Sequence, residues 1–366
     1  MRKKYLFNAA AGFFAVAVLL IALSGCRNNT AQSDTASAKG NELLNVSYDP
    51  TRELYEQYNE AFIKYWKEKT GETVIIKQSH GGSSKQALKV IEGLGADILT
   101  LGVSADIDAI AEKGKLLPMD WQKRFPNDST PYTSTVVFLV RKGNPKNIKT
   151  WEDLVQPGMS IIAANPKTSA VARLSYLAGW GAILKRELGD LNKLKEPEKY
   201  AAEIAKAQEA AQAYTKEIYR HVKVLDSGAR GASQTFIQRK QGDVLLNWEN
   251  ESYKALADST DKSFEIVVPP ISILADPSVA VVDKNVDKRG TRIIAEEYIR
   301  YLYSDAGQEL AAKNSYRPHN KDILAKYKDN FAEVELFTVG DVFGGWAEAQ
   351  KTHFCDGGVF DTIYAR

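Results

Sequence analysis

Thr73-Val74-Ile75-Ile76-Lys77-Gln78-Ser79-His80-Gly81-Gly82-Ser83-Ser84-Lys85-Gln86-Ala87-Leu88-Lys89-Val90-Ile91 carries two kinds of local pattern in succession. The β-branched run 73–77 reads as a strand, and the segment from Ser84 to about Glu92 reads as a helix with Ser83 as its N-cap. Between them lies the loop Ser79-His80-Gly81-Gly82-Ser83-Ser84. The first turn of a helix holds backbone N–H groups without intrahelical partners and roughly half a positive charge from the aligned peptide dipoles, so a loop opening onto it favours an anion. The pattern recurs at Ser47-Tyr48-Asp49-Pro50-Thr51, at Asn165-Pro166-Lys167-Thr168-Ser169-Ala170 and at Asp226-Ser227-Gly228-Ala229-Arg230-Gly231-Ala232. Strand, loop and helix in repeated order predict α/β lobes with mainly parallel sheets.

Working outward, Leu43–Ser47 predicts a strand, and Arg52 to Lys69 places Leu54, Tyr58, Ala61, Phe62, Tyr65 and Trp66 on one helical face. Ala96–Leu101 is a further strand, and Thr133–Arg141 a long one on which the chain could pass between lobes. Ser160–Ala163 leads into the third loop and a helix carrying Leu174, Tyr176, Leu177 and Trp180. The Lys-, Glu- and Ala-rich stretch from Leu184 to Tyr219 predicts a helical, solvent-facing hairpin. Strands follow at 222–225 and 243–247, the second ending in Trp248-Glu249-Asn250-Glu251. Phe264–Val268 and Ser278–Asp283 read as strands returning towards the first lobe, and the C-terminal third adds helices with Phe343, Trp346 and Phe354 as packing groups.

The amino terminus speaks to location. Arg2, Lys3 and Lys4 precede an apolar stretch, about Phe13 to Leu23, too short to span a bilayer comfortably, as in a secretory signal peptide. Leu23-Ser24-Gly25-Cys26 has the form of a lipoprotein cleavage box, so Cys26 is expected to carry the lipid; an ordinary signal peptide or an uncleaved anchor helix is the alternative. Residues 27–41, polar and small, read as a flexible tether. The other cysteine is Cys355, so lipidation of Cys26 leaves no intrachain disulfide.

Of 366 residues, 44% are apolar and 26% charged, ordinary for a globular protein with two lobes. Removing the three leader cations takes the formal charge from +2 to −1, without the basic surface that nucleic acid demands. An anion must then be held by local geometry and not by a general positive field. Gly81-Gly82-Ser83-Ser84-Lys85 lacks the spacing of a nucleotide phosphate loop, and no G-x-S-x-G elbow surrounds Ser83 or Ser227. His80, His221, His319 and His353 are scattered without metal-ligand spacing. Neither catalysis, metal nor cofactor is expected.

Leu44–Glu53, Gln78–Ser83, Asn165–Ser169, Asp226–Gly231 and Trp248–Glu251, with Phe343-Gly344-Gly345-Trp346 further on, resemble the sulfate-binding proteins of bacterial ABC importers in sequence and in order from about Leu43 to the C-terminus. The resemblance implies a two-lobed periplasmic binding fold of type II closing at a hinge. It implies sulfate or thiosulfate as ligand and a membrane permease with its ATPase as partners; with the lipid expected on Cys26, the chain is expected to be a monomer held on the outer side of a membrane. Lobe I would comprise 42–133 and 269–310, lobe II 134–268, and 311–366 would pack across both.

Carried over by position, the resemblance makes the Asp49 backbone N–H and the Ser83 hydroxyl the ligand contacts of lobe I. Lobe II would offer Ser169, the N–H groups of Ala170, Val171 and Ala229, and the Trp248 indole N–H. Where the family has two glycines after the Asn-Pro-Lys-Thr-Ser string, this chain has Ala170 and Val171. A β-branched residue would be strained there if the loop required positive φ. A donor-only pocket suits sulfate, whereas hydrogen phosphate brings a proton that needs an acceptor; molybdate or phosphate is the alternative ligand, and an ester hydrolase the alternative class. The Asp49 carboxylate could be such an acceptor, but the sequence favours a role in organising the Tyr48-Asp49-Pro50-Thr51 turn or capping the helix after it.

Overall fold

The computed structural model describes residues 40–260 and 262–365. The expected leader, Cys26 and the tether as far as Lys39 lie outside the described residues. Two sheets organise the rest. In the first, β1 (Glu42–Tyr48) lies between β2 (Ile75–Gly81) and β3 (Ile98–Leu101), parallel to both, and a returning strand, β9 (Ser278–Val281), runs antiparallel on the outer side of β3. In the second, the order is β6 (Val222–Asp226), β5 (Ile161–Ala164), β7 (Val244–Trp248), β4 (Val136–Arg141) and β8 (Phe264–Val267). Here β5 is parallel to both neighbours, and β4 is antiparallel to β7 and β8. The two-lobed α/β architecture is as expected, although 264–267 joins the second sheet and only 278–281 returns to the first.

The predicted long strand 133–141 is broken. Tyr132 and Thr133 pair with Arg317 and Pro318, Ser134 bridges to Ala275, and β4 begins at Val136. Two crossing segments therefore run side by side between the lobes, tied by Thr135 Oγ1 donating to Ile273 O at 2.8 Å and Ser272 Oγ donating to Val136 O at 2.9 Å.

Helices form where the apolar spacing fits 3.6 residues per turn. α1 (Arg52–Thr70) buries Leu54, Tyr55, Tyr58, Phe62 and Trp66, then stops at Gly71, whose φ of 76° suits a left-handed C-cap. α2 (Ser83–Ile91) starts at Ser83, and Gly82, not Ser83, is its N-cap. α3 is the short helix Ser104–Ala109. α4 (Ala170–Leu188) is buried around nearly its whole circumference. α5 (Ala201–His221) packs on it through Ala207, Ala211, Tyr214, Thr215, Ile218 and Tyr219, with Trp180 Nε1 donating to Gln208 Oε1 at 2.7 Å. The expected solvent-facing hairpin thus exposes one side only; its alanines are a close-packing seam. α6 (Ala229–Ile237) and α7 (Glu249–Asp258) follow β6 and β7, and α8 (Arg292–Leu302) supports the first sheet, where Tyr298 receives Asn45 and Gln78 and bonds Asn59.

Candidate functional site

All four loops lie at strand ends that open onto helices. In the first, Pro50 sits in a single 3₁₀ turn, Asp49–Thr51, between β1 and α1. The turn is fastened by Thr51 Oγ1, which donates to Tyr48 O at 2.7 Å and contacts Ser47 Oγ. The expected Asp49 cap is not found: no side chain caps either this turn or α1. Its Oδ2 lies instead against Gly228 of the opposite lobe, 2.8 Å from where a Cβ on that glycine would stand. Burial raises the Asp49 pKa, opposed by the charges of Arg230, Arg52, Lys85 and Lys89. The second loop is braced to the first by Gln86, whose amide donates to Ser47 O at 3.1 Å and Ser79 Oγ at 3.0 Å. Ser83, fully buried, accepts the Gly102 N–H at 3.0 Å.

The third loop folds on Asn165, whose carbonyl accepts the N–H groups of Thr168 and Ser169 at 3.0 and 2.9 Å. Lys167 turns away from the cleft to Asp361 Oδ2, at 2.9 Å, and to the Phe354 carbonyl. Ser169 is the α4 N-cap, yet its hydroxyl makes no cap bond, so the N–H groups of the first turn are not used up by it. Neither Ala170 nor Val171 has a positive φ. They form the first turn of α4, and the strain that a β-branched residue would feel in a left-handed loop does not arise. The fourth loop hangs on the third: Asn165 N–H donates to Asp226 O at 2.8 Å and Thr168 Oγ1 to Ser227 O at 2.9 Å. Gly228 is the N-cap of α6, which begins at Ala229.

Gly102, at the end of β3, marks where the parts meet. A Cβ built there would lie 2.6 Å from Ala170 Cβ, 3.2 Å from Tyr48 Cδ2 and 3.4 Å from Trp248 Cζ2. The Trp248 ring, 1% exposed, packs at 5.4 Å on Tyr48. Ser83, Ala170 and Trp248 thus gather at one point of the cleft, with Ser169 and Val171 beside Ala170. Asp49 faces the start of α6, next to Ala229. All seven expected contact residues lie along this junction; Gly102 and Tyr48 complete it and were not expected.

Two arginines reach across the junction, and both are matched by carboxylates. Arg173, on α4, donates from Nη2 to Asp106 Oδ2 at 2.6 Å and to Ser84 Oγ at 2.8 Å across the cleft, and from Nη1 to Gln350 Oε1 at 3.2 Å. Both members of the Arg173–Asp106 pair are buried. Arg230 grips Glu53 with two bonds of 3.0 Å, also across the cleft, while Glu251 receives one longer bond from Nη2 at 3.4 Å and its Oε1 stands 3.0 Å from Nε without hydrogen-bond alignment. One guanidinium between two carboxylates leaves the more buried of them short of compensation. Burial pushes the Glu251 carboxyl up to about 7, against Arg230 and with the help of Glu53 and Asp49. His80 is neutral at ordinary pH, its pKa lowered to about 4 by burial and by Arg52. Among the described residues no cluster of three His, Cys, Asp or Glu could hold a metal.

Residues 51–317 match the family of bacterial extracellular solute-binding proteins. The chain belongs to that family. As a solute-binding protein it is a receptor and not an enzyme, and its family is an exported one. It is 53% identical over 334 residues to the sulfate-binding protein of Salmonella typhimurium, covering 91% of this chain and 96% of the relative. It is 49% identical to the thiosulfate-binding protein of Pseudomonas aeruginosa, covering 88% and 92%. Among solved structures, the sulfate-binding protein SubI from Mycobacterium tuberculosis H37Rv superposes with a TM-score of 0.70 at 26% identity, over 85% of this chain and 98% of that one. The solute-binding protein described here therefore carries its family's fold with the loops closed on each other, held by ion pairs that bridge the lobes.

Proposed function

We propose that the chain is the receptor of an ABC importer that captures sulfate or thiosulfate between its lobes and delivers it to a membrane permease driven by an ATPase. One observation carries this. The first turns of α4 and α6, the Ser83 hydroxyl and the Trp248 ring converge where the two arginines that bridge the lobes, Arg173 and Arg230, are already bound to carboxylates. What such a place offers an anion is uncharged donors. The contacts are the N–H groups of Asp49, Ala170, Val171 and Ala229, the hydroxyls of Ser83 and Ser169, and the Trp248 indole N–H. A dianion is tolerable there because hydrogen bonds replace its water shell, and amides fixed at helix starts do so without side-chain entropy loss. Hydrogen phosphate would bury a proton among donors, at about 1–3 kcal/mol for each unpaired group.

In this reading 42–133 with 269–310 form lobe I and 134–268 lobe II, while 311–366 spans them, Lys167 being anchored on that segment. The receptor acts as a monomer, secured to the outer side of a membrane through lipid on Cys26. Its 53% identity to a sulfate-binding protein and 49% to a thiosulfate-binding protein support the choice of ligand. Calorimetric titration of the body from about Gly40 with sulfate, thiosulfate, molybdate and phosphate tests it. One-to-one binding of sulfate or thiosulfate with phosphate silent is expected; preference for phosphate would overturn the assignment.

A further inference from the structure

Three glycines at the junction share a property that backbone conformation does not explain. Gly82 has φ −56° and ψ 135°, Gly228 is extended, and Gly102 has no positive φ, so alanine could adopt each backbone. What excludes a methyl group is the other lobe. A Cβ on Gly82 would stand 2.5 Å from Thr168 O and 3.0 Å from Ser227 O. One on Gly102 would stand 2.6 Å from Ala170 Cβ, and one on Gly228 2.8 Å from Asp49 Oδ2. In all three cases the obstructing atom lies across the cleft, as the sheet memberships of β1 to β3 and β5 to β7 show.

We infer that Gly82, Gly102 and Gly228 are positioning residues that set the depth of closure: their missing side chains let the amides at the starts of α4 and α6 come within hydrogen-bonding range of an anion also held from lobe I. The inference rests on the capture function proposed above. A methyl at Gly82 or Gly228 meets only the other lobe, and one at Gly102 asks in addition a shift of a few tenths of an ångström from Tyr48 of its own lobe; each holds the lobes open when they meet. A hydrogen bond lengthened by about 1 Å is no longer one, so a small obstruction removes the contribution of a whole lobe. The three sites differ in what could relieve the obstruction. Gly82 faces main-chain carbonyl oxygens, which no side-chain change moves. Gly102 faces the methyl of Ala170, and the two form a complementary pair, a gap in one lobe receiving a group from the other. Exchanging them in Gly102→Ala/Ala170→Gly transfers the methyl across the cleft and leaves the main-chain donor of residue 170 in place.

The test uses the chain from about Gly40 with sulfate and thiosulfate as probes. Affinity is read by calorimetry, closure by the ligand-induced decrease in radius of gyration in solution scattering, and folding by anion-free melting. Gly82→Ala and Gly102→Ala are expected to lose at least about tenfold in affinity and the compaction with it, while melting within about 2 °C of wild type without anion. The exchanged double variant is expected to regain at least half of that loss on a logarithmic scale, short of full recovery because Tyr48 and Trp248 also crowd position 102. Wild-type affinity and compaction in both single variants overturn the inference, as does a loss accompanied by a fall in anion-free melting with no recovery in the double variant. A wild-type chain silent to both anions defeats the capture function itself, and the inference with it.

Discussion

In the proposed pocket the Trp248 indole N–H is a donor to the anion, and the Asp49 carboxylate is an acceptor the anion does not use. Trp248→Phe keeps a ring against Tyr48 and removes the indole N–H. A hydrogen bond to a charged group contributes about 1.5–3 kcal/mol, so sulfate affinity should fall by roughly 10- to 100-fold with little change in anion-free melting. An unchanged affinity would show that the indole only packs. Asp49→Asn is nearly isosteric, and the carboxylate it replaces neither caps a helix nor fastens its own turn. Burial opposes its ionisation and a bound anion would oppose it further. Sulfate affinity should therefore stay within about tenfold of wild type; a larger loss in titration would assign the carboxylate a bond that closure needs.

At the scale of elements, α4 shows how packing overrides propensity. Gly181 lies in its interior, where alanine is favoured by about 1 kcal/mol. A Cβ there would meet Phe337 at 2.2 Å, and overpacking a core costs about 1–3 kcal/mol. Gly181→Ala is thus expected to lower the melting temperature by a few degrees, and a rise would mean that the Phe337 ring steps aside freely. The helices and strands that frame the loops were legible because each shows a clean apolar period and an abrupt Gly, Ser or Thr boundary. The loops pointed to the site for the same reason. Gly102 escaped notice although Thr100-Leu101-Gly102-Val103-Ser104 repeats the strand, glycine, serine and helix order in miniature. Arg173 also left a trace, a lone cation early in an otherwise apolar helix, which is unusual unless a buried carboxylate awaits it. What no pattern could give was the direction of the Asp49 side chain. That depends on how a second lobe, distant in sequence, docks over the first turn. The break in 133–141 was hidden likewise, since both halves are β-formers and only the partner strands differ.

For the molecule as a whole, the protonation of Glu251 couples the junction to pH. Its carboxyl is raised from an ordinary 4.5 to about 7, chiefly by burial. A group with a raised folded pKa contributes stability that is complete below its unfolded value and is lost as pH rises through the folded one. Glu251→Gln keeps the neutral shape, so it should melt with wild type near pH 4.5 and above it near pH 8, the gap opening between them. A variant less stable than wild type at the higher pH would show that the charged contact with Arg230 outweighs burial.

The ion pairs that bridge the lobes also bear on time. Held by uncharged donors, an anion would be gripped in a way that salt hardly touches; the doors around it are a different matter. For a captured anion to leave by parting of the lobes, Arg173 would have to separate from Asp106 and Arg230 from Glu53. The first pair is sealed from water, while the second keeps 31% and 23% of its side chains exposed and is open to screening. Residence time is thereby separated from strength of grip: ionic strength and whatever presses on the outer pair can set how soon the cargo is released, without altering the chemistry by which it was chosen.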